Sequence, residues 1–169
     1  MVVQHNPAGD VVNAAIGPGG WNRTAAGVVR DLRMDELSAL RLENAVFFPT
    51  QLKSLVRNMR VDGSDKIADH STWVVTGEMD LLPLVKLYFD RDSGYLVGLQ
   101  WEQQSYFCCH VYREEFSDFK VVGGGIRQPM TWRINGPRQT ITEYRMDAVE
   151  LNGIEDAKFA KPSTNRASN

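Results

Sequence analysis

A β-hairpin is predicted by residues 85–101, which read VKLYFDRDSGYLVGLQW. Val85, Leu87 and Phe89 alternate with polar or amphipathic residues, which is the two-residue period of a half-buried strand. The turn residues Arg91-Asp92-Ser93-Gly94 follow, as expected where a chain reverses direction. The returning strand is predicted to place a second apolar set on one face: Tyr95, Val97, Leu99 and Trp101.

The same period continues almost to the C-terminus. The segments that show it are 107–113, 116–122, 130–134 and 140–151, with turns at 123–125 and 135–137. Tight turns join antiparallel neighbours, whereas parallel strands would need long crossover connections. Six or seven antiparallel strands are therefore predicted after residue 63. The last segment has a mixed polar and apolar face, which indicates an edge strand or a solvated side.

The N-terminal part of the chain changes from strands to helices. Glycine and proline turns bound short strands at 11–16 and 21–25, and good helix formers with acids in the first turn then run from Met34 to Phe48. Pro49 ends that helix, and Thr50 can cap a second one. Its predicted apolar stripe consists of Leu52, Leu55, Val56 and Met59.

Only the helix pair at 34–60 is available to cover the apolar face of a large antiparallel sheet. We therefore predict an α+β fold, mainly β with two short helices, in which a strongly curved antiparallel half-barrel wraps around the helix pair. One domain over residues 1–162 is expected, because 169 residues match the usual size of a single domain. The polar tail 163–169 is predicted to be disordered.

Composition excludes several function classes. With 19 Lys and Arg against 21 Asp and Glu, the net charge is −2, which disfavours a nucleic-acid partner. No run approaches the roughly 18 apolar residues of a transmembrane helix. The N-terminus also lacks the features of a secretory signal, which fits either a cytoplasmic protein or a mature fragment whose export signal has been removed.

No catalytic residue, metal site or cofactor is predicted. His5, His70 and His110 are far apart, and Cys108 and Cys109 are adjacent, which suits neither a zinc site nor an ordinary disulfide. Neither a haem-attachment motif nor a nucleophile elbow is present. We therefore expect a protein that is not an enzyme.

Two pairs of acidic residues are interpreted as structural rather than functional. Asp90, Asp92 and Gly94 lack the remaining ligands of a calcium loop and indicate a β-turn. Glu114 and Glu115 are neighbours on a strand and must point to opposite faces, so they cannot readily share a substrate. A solvated edge is the predicted position of this pair.

The chain also resembles a known family in several motifs that keep their order. These are the hairpin at 87–99 (LYFDRDSGYLVGL), the strand and turn at 116–124 (FSDFKVVGG), the ending at 152–162 (NGIEDAKFAKP), and upstream Gly20-Trp21 and Val29-Arg30-Asp31-Leu32. Together they are similar to the LolA/LolB-like superfamily of exported half-barrel proteins, over roughly residues 20 to 162. Within it, the chain most resembles the C-terminal domain of bacterial reaction-centre-type cytochrome c subunit-like proteins.

This resemblance implies a half-barrel fold and a periplasmic or otherwise extracytoplasmic location. It does not imply haem, because no C-x-x-C-H motif exists in the chain. The opening helix and first strands of the family have no counterpart before Met1, so the domain is expected to lack those elements. Residues 105–112 are unusually aromatic and contain the cysteines, which indicates local specialisation.

Two functions remain open at this point. The first is a non-enzymatic binding domain that holds an apolar ligand, such as a lipid, an acyl chain or a lipoprotein, in the concave face of the half-barrel. The second is an accessory domain with a packed core that serves an exported cytochrome partner. For the first, the predicted lining residues are Leu52, Leu55, Val56, Met59, Trp73, Leu87, Phe89, Leu99, Trp101, Trp132 and Ile134.

Overall fold

The computed structural model describes residues 1–104, 109–149 and 155–162. Within these residues the helices are α1 (Met34–Ala45) and α2 (Leu52–Leu55). The strands are β1 (Val2–Gln4), β2 (Val11–Ile16), β3 (Gly19–Arg23), β4 (Val29–Asp31), β5 (Arg57–Ile67), β6 (His70–Met79), β7 (Leu82–Asp90), β8 (Leu96–Gln104), β9 (Cys109–Val121), β10 (Arg127–Asn135) and β11 (Ile141–Arg145). The predictions for Cys108, Leu151, the start of the 152–162 motif and the tail 163–169 lie outside the described residues.

The chain divides into two compact units, one formed by Met1–Arg41 with Asn152–Asn169 and the other by Leu42–Leu151. In the first unit, the four strands β1 to β4 form an antiparallel sheet in sequence order. Val12, Ala14 and Trp21 are buried together on this sheet. The strands predicted between the early glycine and proline turns are thus present as a meander. No helix in the described parts of either unit is long and apolar enough to cross a membrane.

The start of α1 is fixed by local hydrogen bonds. The carboxylate of Glu36 accepts the backbone N–H of Arg33 at 2.9 Å, which satisfies a donor that the helix itself leaves open. Arg30 donates to both oxygens of Glu36, at 2.7 and 2.9 Å. The acids predicted for the first turn therefore cap the helix as well as favouring its dipole.

The C-terminal residues of the first unit are tied to its strands. The indole N–H of Trp21 on β3 donates to the carbonyl oxygen of Phe159 at 2.8 Å. Lys161 forms an ion pair with Asp31 on β4, also at 2.8 Å. Residues 155–162 are therefore held by one partly buried and one exposed polar contact.

The second unit contains an antiparallel sheet of seven strands in the order β11-β10-β9-β8-β7-β6-β5. Each strand pairs with its neighbour in sequence, as the tight turns predicted, and β5 and β11 remain as open edges. The predicted fold class is confirmed: the chain is mainly antiparallel β with two helices, and the sheet is an unclosed half-barrel.

One face of this sheet is covered by residues 42–56. Leu87 lies opposite Leu99, Leu99 opposite Glu114, and Glu114 opposite Ile134, so these side chains share one face across β7 to β10. Gly77 lies on the same face, and a Cβ atom added there would clash with Val56 at the end of α2. We call this face the helix-facing surface.

The opposite face carries a smaller apolar cluster of Ile67, Val74, Tyr88 and Val97. A register shift between β7 and β8 pairs Tyr88 with Gly98 but Phe89 with Leu96, which leaves Val97 as an extra residue. The prediction that Val97 shares a face with Leu99 and Trp101 was therefore wrong, because a bulge interrupts the alternation.

The second helix is shorter than predicted. It ends at Leu55, Val56 is extended, and Met59 lies on β5, where it is 39% exposed. A register shift between Arg57 and Arg60 accompanies a positive φ at Asn58. The three-residue spacing from Val56 to Met59 thus comes from a bulged strand, which the sequence pattern cannot distinguish from a helical turn.

Strand β5 forms an exposed edge. Ten of its eleven residues are exposed, and only the last, Ile67, is buried. A second register shift falls between Val61 and Ser64, beside Gly63 at φ 111°. Residues 57–63 therefore belong to a bulged strand, although the sequence predicted a helix end and a turn there.

Two further strand boundaries differ from the prediction. Strand β9 runs without a break from Cys109 to Val121, whereas two separate segments were predicted. Strand β11 ends at Arg145, so Asp147 and Val149 lie beyond it. The edge position predicted for this last strand is confirmed.

Candidate functional site

Two acidic residues interact at the helix-facing surface, one from the sheet and one from α1. Glu114, on the central strand β9, is only 2% exposed. Glu43, on α1, keeps some exposed surface as a residue, while loss of solvation around its carboxyl raises the pKa of Glu43 to about 7. Burial, followed by the charge of Glu43, raises the pKa of Glu114 well above its ordinary value. In the described part of the chain, no lysine or arginine offsets either shift.

The predicted solvated position of Glu114 was wrong. Strand β9 lies between β8 and β10, where it pairs on both sides, so its inward side chains are covered. The prediction that Glu114 and Glu115 point to opposite faces agrees with the register, since Glu114 pairs with Leu99 and Glu115 with Gly98.

Two stacked aromatic pairs lie on the same face of the sheet as Glu114. Trp101 stacks on Tyr112 with ring centroids 5.4 Å apart, and Trp132 stacks on Tyr144 at 5.3 Å. Burial and then the charge of Glu43 raise the pKa values of both tyrosines, which places both phenols within electrostatic reach of that carboxyl. We call this group the carboxyl-aromatic cluster: Glu43, Glu114, Trp101, Tyr112, Trp132 and Tyr144.

Polar atoms at this surface are left without partners. Among the described residues, neither Oε1 of Glu114 nor Nε1 of Trp101 makes a hydrogen bond, although both atoms are buried. Oε1 of Gln128 is also unpartnered, while its Nε2 donates to the carbonyl of Phe47 at 2.8 Å. An unsatisfied buried polar group costs about 1–3 kcal/mol, so these atoms require a hydrogen-bond partner outside the described residues, such as an ordered water or a bound ligand.

The predicted lining residues fall into three sets. Five are at most 5% exposed: Leu52, Val56, Leu87, Leu99 and Trp101. Four are partly exposed: Leu55, Phe89, Trp132 and Ile134. Met59 and Trp73 are exposed, and the guanidinium of Arg91 lies 4.0 Å over the Trp73 ring.

Packing on the helix-facing surface therefore differs from one side to the other. Leu87 and Leu99 on β7 and β8 are fully buried. Toward β10 and β11, by contrast, Trp132, Ile134 and Tyr144 keep exposed area, and Phe47 meets Trp132 edge-on at 5.8 Å. The side of the sheet with open aromatic surface is thus the side with the unpaired carboxyl.

Sequence reasoning missed Glu43, Phe47, Tyr112, Glu114 and Tyr144. A signal was available for Glu114, because it shares its strand parity with Tyr112 and Phe116. An acid between two inward aromatic residues of a central strand indicates a buried carboxyl. For Glu43, the sequence around it reads as an ordinary helix face and carries no such signal.

The turn after β7 holds its own polar network. Asp90 accepts the backbone N–H of Ser93 at 3.0 Å and its hydroxyl at 2.5 Å, and these bonds lower the pKa of Asp90. His70 lies 3.2 Å from the same carboxylate. The predicted β-turn is confirmed. No group of three or more His, Cys, Asp or Glu in the described residues is arranged to hold a metal ion.

Comparison with known proteins identifies two solved structures with a similar fold. No model of a protein family and no curated protein matches the chain. A solved structure from Vibrio parahaemolyticus, a domain provisionally named an outer membrane lipoprotein-sorting protein, matches with a TM-score of 0.60 and 11% identity, over 90% of this chain and 69% of that one. A DUF1329 family protein from Desulfovibrio piger matches with a TM-score of 0.54 and 14% identity, over 89% and 68%.

At these identities the likeness concerns the fold alone. The chain shares the fold of the Vibrio parahaemolyticus domain over most of its length, which agrees with the fold expected from its resemblance to LolA/LolB-like proteins. The closer resemblance to cytochrome c subunit-like proteins stays a prediction.

Proposed function

We propose that this chain is a non-enzymatic, extracytoplasmic binding protein that holds an apolar ligand, or the acyl chain of a lipidated partner, against the helix-facing surface. The observation that carries the proposal is the open aromatic surface beside β10 and β11, which adjoins buried polar atoms without partners. A surface of this kind suits a guest with an apolar body and a polar end.

The physical support lies in the aromatic area that a guest would bury. Trp132 and Ile134 are only partly buried, although they lie on the face that residues 42–56 cover. Phe47, which belongs to the covering segment, is partly buried as well. Removing apolar surface from water contributes about 25 cal/mol per Å². An acyl chain laid along these side chains would therefore gain several kcal/mol from contact with rings already held by stacking.

The fold comparison supports the same class of function. The Vibrio parahaemolyticus domain is named for lipoprotein sorting, which is a carrier function rather than a catalytic one. We extend that function, and the extracytoplasmic location that the motif resemblance implies, to this chain as parts of the proposal.

Displacement of a lipophilic fluorescent probe tests the proposal, together with mass analysis of organic extracts of the purified protein. We expect probe binding that weakens about fivefold or more in Trp132→Ala, because this ring forms part of the open surface. Phe119→Ala is the matched control, since this ring packs on the opposite face of the same sheet.

A protein that neither binds the probe nor yields a lipid on extraction would overturn the proposal. That result would favour the alternative, an accessory domain with a packed core that serves an exported cytochrome-type partner. Equal weakening by both substitutions would also count against the helix-facing surface as the ligand site.

A further inference from the structure

We propose that the carboxyl-aromatic cluster binds the protonated amine head group of an amphiphile, with Glu114 and Glu43 as its acceptors. This inference rests on the proposed function and adds the chemical class of the ligand. It assigns the polar end of the guest to the carboxyls and the apolar body to the aromatic surface beside β10 and β11.

Charge complementarity is the first argument. Glu114 is buried on the helix-facing surface with one carboxyl oxygen unpartnered, and the charge of Glu43 on α1 acts on it; no basic side chain among the described residues compensates either acid. The nearest arginine in sequence, Arg113, lies on the opposite face of β9, where its guanidinium stands 5.1 Å over the ring of Tyr88. A buried carboxylate needs a paired cation, and here the ligand would supply it.

Unmet hydrogen bonds are the second, independent argument. Trp101 is 2% exposed, and its Nε1 has no acceptor among the described residues. It lies directly opposite Tyr112, whose next inward neighbour on β9 is Glu114. The region therefore offers an open acceptor at Glu114 and an open donor at Trp101. An ammonium group with a neighbouring oxygen, as in an amino alcohol, would satisfy both.

The aromatic rings are the third argument. Tyr112 and Tyr144 come from β9 and β11, and each stacks on a tryptophan. The face of an aromatic ring attracts a cation, and this attraction grows when water is excluded. A divalent metal ion is disfavoured, because the described part of the chain offers no third His, Cys, Asp or Glu at this place.

The competing explanation is purely structural: one carboxyl stays protonated and the two share that proton. Such a pair would give the ligand site no preference between head groups. The two explanations therefore differ in what they predict for ligands with the same chain and different ends.

The test compares dodecylamine, dodecanol and dodecanoate in competition with a lipophilic probe at pH 7.5. We expect the amine to bind about tenfold more tightly than the alcohol, as one charge-assisted hydrogen bond would produce, and the carboxylate to bind most weakly. In Glu114→Gln and Glu43→Gln, the preference for the amine should fall to about twofold or less. Glu115→Gln, at the neighbouring position on the opposite face, should keep it.

A measurement on the unaltered protein complements the variants. Because an ammonium ligand favours the ionised carboxyls, its preference over dodecanol should grow as the pH rises from 5.5 to 8. The other titratable groups that face the pair are the phenols of Tyr112 and Tyr144, whose raised pKa values keep them neutral over this range.

The outcomes separate the inference from the proposed function. If none of the three amphiphiles binds, both fail. If dodecanol binds as tightly as dodecylamine at every pH, only the inference fails. It fails as well if folded Glu114→Gln and Glu43→Gln proteins keep the full preference for the amine.

Discussion

Burial, and then the charge of Glu43 on α1, raises the pKa of Glu114 on β9, although the two residues are 71 positions apart. Both groups are acids whose charged forms are disfavoured by the fold. The pair therefore links the protonation state of the helix-facing surface to the packing around Glu43.

Stability should fall as the pH rises from 5 to 8. Folding raises the pKa of Glu43 from 4.5 to about 7, so its contribution is complete below pH 4.5 and is lost as the pH passes through 7. The free energy of unfolding, measured in urea, should drop by roughly 3 kcal/mol over this range. In Glu43→Gln the drop should become smaller, because only the part due to burial of Glu114 remains, whereas Glu115→Gln should keep the full drop. If the free energy of unfolding of the unaltered protein did not change between pH 5 and 8, that result would contradict a buried ionisable pair.

Gly98→Ala should destabilise the second unit by about 2–3 kcal/mol. An added Cβ would clash with Ile67 and lie 2.8 Å from the carbonyl oxygen of Glu114, so the strand or its neighbour must shift. Gly19→Ala, where an added Cβ meets nothing within 4 Å, is the control and should change stability by less than about 0.5 kcal/mol. Similar denaturation midpoints for the two variants would refute the close approach of Ile67 to β8.

Glu36→Ala should cost about 1–2 kcal/mol at pH 7, because it removes the cap on Arg33 and both bonds from Arg30. Folding lowers the pKa of Glu36, chiefly through Arg30, so this contribution is present above pH 4.5 and is lost as the pH falls further. The difference from the unaltered protein should therefore shrink in acid. Lys53→Ala, an exposed change on α2, should have little effect at either pH.

Trp21→Phe should loosen the C-terminal segment of the first unit. It removes the 2.8 Å bond to the carbonyl of Phe159, and we expect a loss of about 1–2 kcal/mol with faster proteolysis near residue 159. Lys161→Ala removes only an exposed ion pair with Asp31 and should cost less than about 1 kcal/mol. The reverse order of sensitivity would show that the ion pair holds this segment.

Much of the fold was predictable because it is encoded locally. The hairpin at 85–101 combines a two-residue period with a turn that Asp90 and Ser93 stabilise by their own hydrogen bonds. The meander order followed from short connections. The end of α2 was not predictable, because the bulge at Asn58 reproduces a helical spacing within a strand.

The site was less accessible than the fold. The inward positions of Leu99 and Trp101 follow from alternation, and both are buried as expected of lining or core residues. Charged residues are rarely buried, which favoured a solvated position for Glu114. Its burial comes from the position of β9 between β8 and β10, and the local signal of that burial is the strand alternation that Glu114 shares with Tyr112 and Phe116.

The exposed strand β5 has a consequence for self-association. An open sheet offers its unpaired edge to any other extended chain, and such edges are common starting points for aggregation. Here the edge carries Arg57, Arg60, Asp62, Asp65 and Lys66 and is bent by two bulges. A second molecule that approached this edge would meet charged side chains and an irregular row of backbone hydrogen-bonding groups. Strand β5 therefore disfavours edge-to-edge pairing, although the sheet is not closed.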